Sequence, residues 1–369
     1  MIGAGRFLKI PRPQSYFLFP LHKFRENNND NVQGIGMQEY ERYVLEQYNI
    51  DVSSTRKIRG AVLCDTDQGP LLLRETATAP GRISALYRLY DHLWQQGYHN
   101  IDQIILNKEG ECLTVLEDGS KYLLKRWFQG RECDIRKPAE LLEAAGNLAK
   151  LHILLQEGES EGITTAEPLD REYERHDREL KKVRRFVRNL TPKGEFEVAF
   201  LKCFDQMYQW TEAAGSLLSN SSYRNFFEES IEKASIVHGE YNYHNILMIK
   251  DSYGKTTVAT VNFEKYKLNI QTEDLYYFLR KVMEKQGWKE RLGDGMLNAY
   301  SAIRPLDERA VEYLKIRLAY PEKFWKIANS YYHSNKAWIS AKSIEKLNTA
   351  IAQTKEKERF LNHIFSFHL

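Results

Sequence analysis

The chain has 369 residues, 42% hydrophobic and 28% charged, which indicates a folded protein of two lobes or domains and excludes a disordered or collagen-like chain. Its 53 Lys and Arg residues exceed its 50 Asp and Glu residues by only three, so composition predicts no nucleic acid partner. No apolar run approaches the roughly 20 residues that span a bilayer, and no membrane insertion is expected.

The first 36 residues differ in composition from the rest. Pro11, Pro13 and Pro20 interrupt any periodicity, and the segment ends in the polar run ENNNDNVQG. Such a segment cannot bury enough apolar surface to order itself, which predicts a flexible extension over residues 1–36. The first helical pattern begins after Met37, where we expect the folded body to start.

From residue 53 onward the hydrophobic pattern alternates with a period of two, which is typical of strands. Strands are predicted over residues 55–59, 61–64, 71–74, 104–106, 112–116 and 122–127. One amphipathic helix interrupts them, with apolar residues every three or four positions from Ile83 to Trp94. After Gly130 the pattern becomes helical, beginning with Pro138 at a first helical position. The sequence thus predicts an α+β chain, with a strand-rich lobe over residues 37–131 and a mainly helical lobe over residues 132–369.

A basic segment lies in the helical lobe. Residues 171–190 hold eight Lys or Arg against four Asp or Glu. A helix face that carries both signs of charge is usually exposed to solvent and forms ion pairs along its surface. This is the first interpretation of the segment. The alternatives are a docking face for an acidic partner and, over residues 171–188, a surface that binds nucleic acid or membrane with a steep salt dependence.

The segment from Ile236 to Arg280 offers polar groups from two neighbouring strand ends. His238 and Glu240 follow one strand, Asn245 comes five residues after Glu240, and a strand predicted over residues 257–261 leads into Asn262 and Glu264. Phosphoryl transfer needs such an arrangement. One carboxylate accepts the proton of the acceptor hydroxyl, while an Asn and a second carboxylate hold magnesium against the nucleotide phosphates.

Six segments in order resemble the CotS-type spore-coat protein family, which is similar to aminoglycoside and choline phosphotransferases and to protein kinases. They are STRKIRGAVLCDTDQGPLLLRE, KYLLKRWFQGRECD, HGEYNYHN, VNFEKY, EDLYYFLRKVMEKQGW and YPEKFWKIANSYYHSNKAW. The resemblance implies a bilobal kinase-like fold, with a small antiparallel-sheet N-lobe carrying one helix and a larger, mainly helical C-lobe. It also implies ATP and Mg²⁺ as cofactors, other spore-coat proteins as partners, and a location first in the mother-cell cytoplasm and then in the spore coat.

The resemblance also assigns roles, and three positions depart from the phosphotransferase pattern. Arg74 stands where a lysine grips the nucleotide phosphates, Glu240 where the catalytic aspartate is expected, and Asn262 where an aspartate binds magnesium. Asn245 keeps its expected identity as a metal ligand. Arginine is not a conservative replacement for a phosphate-binding lysine, and an Asn lacks the charge that magnesium prefers. Alternation along a strand would place Glu264 on the same face as Asn262, as a substitute metal ligand.

Three further residues complete the predicted site. Gly60 is the only interior glycine where a glycine-rich loop would cover the phosphates, so an ordinary hairpin is an equal interpretation. Trp127 begins the segment whose backbone would hold adenine. His238 lies in the catalytic loop, and the alternative for this residue and for Asp274 is that they brace loops and a helix start.

Two functional hypotheses follow. The first is a kinase-like spore-coat protein with a degenerate phosphotransferase cleft, acting in coat structure or assembly. The second is an active, ATP- and Mg²⁺-dependent phosphotransferase acting on a hydroxyl of a small molecule or protein.

Overall fold

The computed structural model describes residues 38–369, apart from residues 59, 157–159, 252 and 335–340. The predicted flexible extension over residues 1–36 lies outside the described residues, as does Met37. Within the described ranges, no helix combines the length and the apolar character needed to cross a membrane.

The first part of the chain forms one antiparallel sheet with two helices. Its elements are α1 (Glu39–Leu45), β1 (Val52–Ile58), β2 (Ala61–Thr66), β3 (Gly69–Glu75), α2 (Pro80–Gln95), β4 (Ile104–Ile105), β5 (Thr114–Val115) and β6 (Lys121–Arg126). The strand order is β1-β2-β3-β6-β4, and β5 also pairs with β6. The strand predicted over residues 112–116 shrinks to the two residues that pair with β6. It follows a turn in which the Asn107 side chain accepts hydrogen bonds from the backbone N–H groups of Glu109 and Glu111.

The two faces of this sheet have different roles, which follow from the alternation of side chains along a strand. Leu71 and Leu73 of β3 pack with α1 in one apolar cluster. Leu72 lies on the opposite face and belongs to another cluster. Lys125 of β6 pairs directly with Leu72, and Arg74 pairs with Leu123, so the two cations share the face that looks toward the rest of the chain.

The remainder of the chain is mainly helical. Its elements are β7 (Gly130–Glu132), α3 (Pro138–Leu154), α4 (Leu169–Asn189), α5 (Glu195–Ser219), α6 (Tyr223–Glu232), β8 (Ile236–Val237), β9 (Ile246–Lys250), β10 (Thr256–Thr260), a 3-10 turn (Phe263–Lys265), β11 (Lys267–Leu268), α7 (Thr272–Gln286), α8 (Glu290–Ser301), α9 (Glu308–Ala319), α10 (Glu322–His333), α11 (Ala341–Ala352) and α12 (Thr354–Phe365). The predicted order of a strand-rich segment with a helix and then a mainly helical segment is confirmed, and α3 begins at Pro138 as predicted.

Two small sheets and a shared apolar core determine where the cleft lies. Strands β9 and β10 form an antiparallel hairpin to which β7 adds a third strand, and β8 pairs with β11. The largest apolar cluster joins buried residues of α2, such as Leu86 and Tyr90, to residues of α3 and α7 such as Leu148 and Leu279. Helix α2 is therefore packed against the helical part, and the six-stranded sheet faces the β9–β10 hairpin.

Candidate functional site

The loop that follows β8 is held from beneath by one buried carboxylate. Asp274, near the start of α7, accepts hydrogen bonds from the backbone N–H groups of His238 (2.6 Å) and Gly239 (2.9 Å) and contacts the Nε2 atom of His152 (3.3 Å). Burial alone would raise the pKa of the Asp274 carboxyl, but its contacts with His152, His238 and the Gly239 N–H together outweigh burial and lower this pKa. The loop is thus anchored by an ionised carboxylate.

His238 lies inside the protein and is fully buried. Its Nε2 atom contacts the carbonyl oxygen of Val261 (3.0 Å), and its Nδ1 atom accepts from the backbone N–H of Glu240 (3.1 Å). One ring nitrogen therefore connects the loop to the residue after β10, and the other braces the loop itself. These contacts agree with the interpretation that His238 and Asp274 brace the loop; a catalytic role for His238 remains a prediction.

Glu240 and Asn245 lie close together, as the spacing suggested. The Asn245 side chain donates from Nδ2 to the carbonyl oxygen of Glu240 (2.9 Å), and Asn242 donates to the same oxygen (2.8 Å). The Glu240 side chain is half-buried. The two amides therefore hold the loop closed on the backbone of Glu240, and Nδ2 of Asn245 is used for this bond.

Asn262 joins the two parts of the molecule. Its backbone is left-handed (φ 65°) and its N–H donates to Asp102 (2.9 Å). Its side-chain Nδ2 donates to Oδ1 of Asn245 (2.9 Å), and its Oδ1 accepts from Arg74 (3.2 Å). Arg74, Asn262, Asn245 and the Glu240 carbonyl thus form one continuous chain of hydrogen bonds from the sheet to the loop.

The basis for expecting Glu264 beside Asn262 was wrong. Residues Phe263–Lys265 form a 3-10 turn rather than a strand, so the alternation argument does not apply. Glu264 instead forms an ion pair with Lys125, which also bonds Asp102 (3.2 Å). The turn is further tied to α2, because the Arg82 guanidinium donates to the carbonyl oxygens of Glu264 and Tyr266.

The Lys125 cluster is buried and charged. Lys125 and Asp102 are both fully buried. Burial raises the pKa of the Asp102 carboxyl despite the nearby ammonium. Burial would also raise the pKa of the Glu264 carboxyl, but Lys125 outweighs burial and lowers this pKa. The pKa of Lys125 would be lowered by burial, yet the two carboxylates raise it, so the lysine stays protonated.

The sequence interpretation missed Lys125 and Asp102. One signal was available: in the strand sequence YLLK, Lys125 is a charged residue at an alternating position that should face the interior. A charge placed there predicts a buried partner. Asp102 gives no comparable signal, because it lies outside any regular strand pattern.

Gly60 and Trp127 lie apart from the hydrogen-bonded chain. Gly60 is exposed in the turn of the β1–β2 hairpin with a positive φ of 77°, and a side chain there would meet open space. The Trp127 backbone N–H donates to Pro70 (2.9 Å). Its indole packs against apolar clusters from both sides of the cleft, one containing Leu72 and the other containing Leu247.

As arranged, the predicted ligand set is a poor match for Mg²⁺. This ion prefers charged or water oxygens in a near-ideal octahedron. The amide oxygens of Asn245 and Asn262 are both acceptors of internal hydrogen bonds, and the carboxylate of Glu264 is paired with a buried ammonium. The guanidinium of Arg74 is positively charged, so it would also repel a metal cation bound at this position.

A six-stranded antiparallel sheet, a mainly helical remainder and a polar cleft between them define the class of bilobal, kinase-like phosphotransferase folds. Solved structures agree. An aminoglycoside phosphotransferase from Alicyclobacillus acidocaldarius superposes with a TM-score of 0.79 at 15% identity, over 88% of this chain and 95% of that one. The AMP-bound spectinomycin phosphotransferase APH(9)-Ia gives a TM-score of 0.61 at 10% identity, over 89% of this chain and 98% of that one. The predicted kinase-like fold is confirmed.

The chain belongs to the family described as "Spore coat putative kinase YutH", whose profile matches residues 41–364. It is also 25% identical to spore coat protein S of Bacillus subtilis (strain 168) over 308 residues, which is 81% of this chain and 85% of that protein. The resemblance to CotS-type spore-coat proteins is therefore confirmed.

Proposed function

We propose that this chain is a spore-coat component that uses the kinase-like fold as a scaffold in coat structure or assembly and has a degenerate phosphotransferase cleft. Membership of the spore-coat family and the relative named spore coat protein S support the coat role. On this proposal the chain is made in the mother-cell cytoplasm, is then incorporated into the spore coat, and binds other coat proteins there.

One observation carries the proposal of degeneracy: the polar groups of the cleft bond one another. Arg74 donates to Asn262, Asn262 donates to Asn245, and Asn245 donates to the backbone of Glu240. Each of the two amide oxygens already accepts one hydrogen bond, so only its second lone pair would be left for a magnesium ion. The replacement ligands would be neutral, so the attraction that normally compensates magnesium for losing water is reduced.

The position of Trp127 supports the same conclusion. Its indole contacts the cluster of Ala61, Leu63 and Leu72 on the sheet and the cluster around Leu247 on the β9–β10 hairpin. A flat apolar ring between two apolar surfaces is the arrangement that an adenine base would need. We infer that the indole takes up space that the base would use, so a nucleotide would have to displace it.

The test is thermal unfolding of the full chain with millimolar ATP, with and without Mg²⁺. Ligand at about 100 times its dissociation constant stabilises the folded state by roughly 2.7 kcal/mol, a readily measured shift in midpoint. We expect no magnesium-dependent shift for the natural sequence. The variant R74K/E240D/N262D restores the expected phosphotransferase residues, and we expect it to gain such a shift.

A matched control makes the same three exchanges at exposed positions. The variant R185K/E195D/N348D changes the same residue types on the surface, and it should unfold like the natural sequence with no response to ATP. A magnesium-dependent shift in the natural chain would contradict the proposed degeneracy, whether the restoring substitutions abolish this shift or leave it unchanged.

The second candidate is an active phosphotransferase on a small-molecule or protein hydroxyl. The intact bracing of the loop favours it, because Asp274 and His238 hold Glu240 and Asn245 in an ordered arrangement. Solved relatives of the same fold are complexes with AMP or GDP, which makes ATP a reasonable nucleotide to test. On this alternative, E240Q would abolish phosphate transfer without lowering the unfolding midpoint. On the favoured proposal, E240Q would leave coat incorporation unchanged.

A further inference from the structure

A second cluster of chemically active side chains lies away from the cleft, where α4 meets the start of α10. Glu172 and His176 are four residues apart on α4 and so occupy one face of this helix. Glu322 is the first residue of α10. One ligand atom from each of the three side chains lies within 4.8 Å of the other two.

His176 is the unusual member, because it is buried and has no hydrogen bond to any residue that the structure describes. Only 1% of the residue is exposed, and within the described ranges neither Nδ1 nor Nε2 has a partner. Its ring is stacked on Trp325, with 3.4 Å between ring centroids, which fixes its plane. Buried polar atoms are satisfied in the great majority of cases, so two unpaired ring nitrogens beside two carboxylates require an explanation.

Each of the two carboxylates is held through one oxygen. Arg317 donates to Oε1 of Glu172 (2.9 Å), and Lys326 lies 3.0 Å from Oε1 of Glu322. The other oxygen of Glu322, Oε2, is buried and has no hydrogen-bond partner in the part of the chain that the structure describes. Partners of this kind orient metal ligands in known sites, although these two cations also reduce the attraction for a positive ion.

From this geometry we propose that Glu172, His176 and Glu322 bind a divalent transition metal ion, for which Zn²⁺ is the best match. Imidazole nitrogen and carboxylate oxygen are both ligands of zinc, and three protein ligands leave a fourth position for water. The imidazole disfavours Mg²⁺ and Ca²⁺, which take oxygen ligands. The Glu172 side chain is 23% exposed and provides an entry path.

Such an ion would connect α4 to α10, two helices that pack against each other in the second apolar cluster of the protein. This cluster includes Leu180 from α4 and Phe324 from α10. The proposal is independent of the phosphotransferase cleft, since none of its three ligands belongs to the chain of hydrogen bonds around Asn262.

The experiment uses the full chain after treatment with a chelator, followed by titration with Zn²⁺ alone and with Co²⁺ as a spectroscopic probe. We expect one Zn²⁺ per chain, a visible absorption band from tetrahedral Co²⁺, and a higher unfolding midpoint with Zn²⁺ but not with Mg²⁺. H176F keeps a ring against Trp325 and removes the ligand nitrogen. E172Q changes a partly exposed ligand, so this variant still tests the proposal if H176F does not fold.

Loss of a residue that only orients a metal ligand weakens metal binding roughly 10- to 100-fold. Removing one of the ligands themselves should weaken Zn²⁺ binding by at least as much. The matched control is H363F, which removes an exposed histidine that contacts Glu290 at 2.8 Å, and it should bind Zn²⁺ like the natural sequence. The proposal is overturned if the chain binds no stoichiometric Zn²⁺, if Mg²⁺ stabilises equally, or if E172Q retains the natural affinity.

Discussion

Replacing Lys125 by methionine tests whether the buried charge cluster holds the sheet to the helical part. Lys125 comes from β6, Asp102 from the segment before β4, and Glu264 from the 3-10 turn after β10. K125M keeps a long apolar side chain in the same space but removes the ammonium. Asp102, which is fully buried, and Glu264 then remain without the cation that compensates them.

The expected cost follows from this geometry. Removing one partner of a buried ion pair destabilises by about 3–5 kcal/mol, because the remaining charge has lost both water and its partner. At about 2 °C per kcal/mol for a chain of this size, the midpoint should fall by roughly 6–10 °C. The penalty should be smaller at pH 5 than at pH 7.5, since without Lys125 the pKa values of both carboxyls rise and protonation removes the buried charge.

Thermal and urea unfolding of three variants provide the assay. K250M makes the same exchange at an exposed lysine that bonds Thr256, and it should change stability by no more than about 0.5 kcal/mol. K125M/D102N/E264Q removes all three charges and should recover much of the loss. If K125M were no less stable than K250M, or if the triple variant were less stable than K125M, the electrostatic reasoning would be refuted.

Two other predictions concern single positions. Burial lowers the pKa of the Lys357 ammonium to about 7, so between pH 7 and about 10.5 the unfolded chain binds a proton that the folded chain lacks. Lys357 should therefore make stability rise with pH in this window by at most about 1.4 kcal/mol per unit, and the slope should be smaller in K357M than in the natural chain and the exposed control K355M. At Gly239 (φ 85°) a Cβ atom would lie 2.1 Å from the Lys265 carbonyl oxygen, whereas at Gly254 (φ 76°) it meets open space. Urea midpoints should show G254A losing roughly 1–2 kcal/mol from backbone strain and G239A losing clearly more; equal losses would contradict the steric argument.

Local patterns in the sequence predicted the fold well where a pattern repeats. Leu71 to Leu73 alternate between two apolar clusters, as a strand with two packed faces requires. Pro138 marks the first turn of α3 because its fixed φ suits that position. The weakest local predictions concerned short segments, such as the one around Glu264, where the structure has a 3-10 turn instead of the expected strand.

By itself the sequence determined the order of strands and helices and the spore-coat family, and it predicted which cleft positions depart from the phosphotransferase pattern. These properties depend on residue identity and on spacing along the chain. The tertiary structure decided which polar groups satisfy one another. Arg74 and Asn262 are 188 residues apart in the sequence, and Lys125 and Glu264 are 139 residues apart. Long-range pairs of this kind follow from how the sheet packs on the hairpin, because a hydrogen bond depends on distance in space and carries no signal in local periodicity.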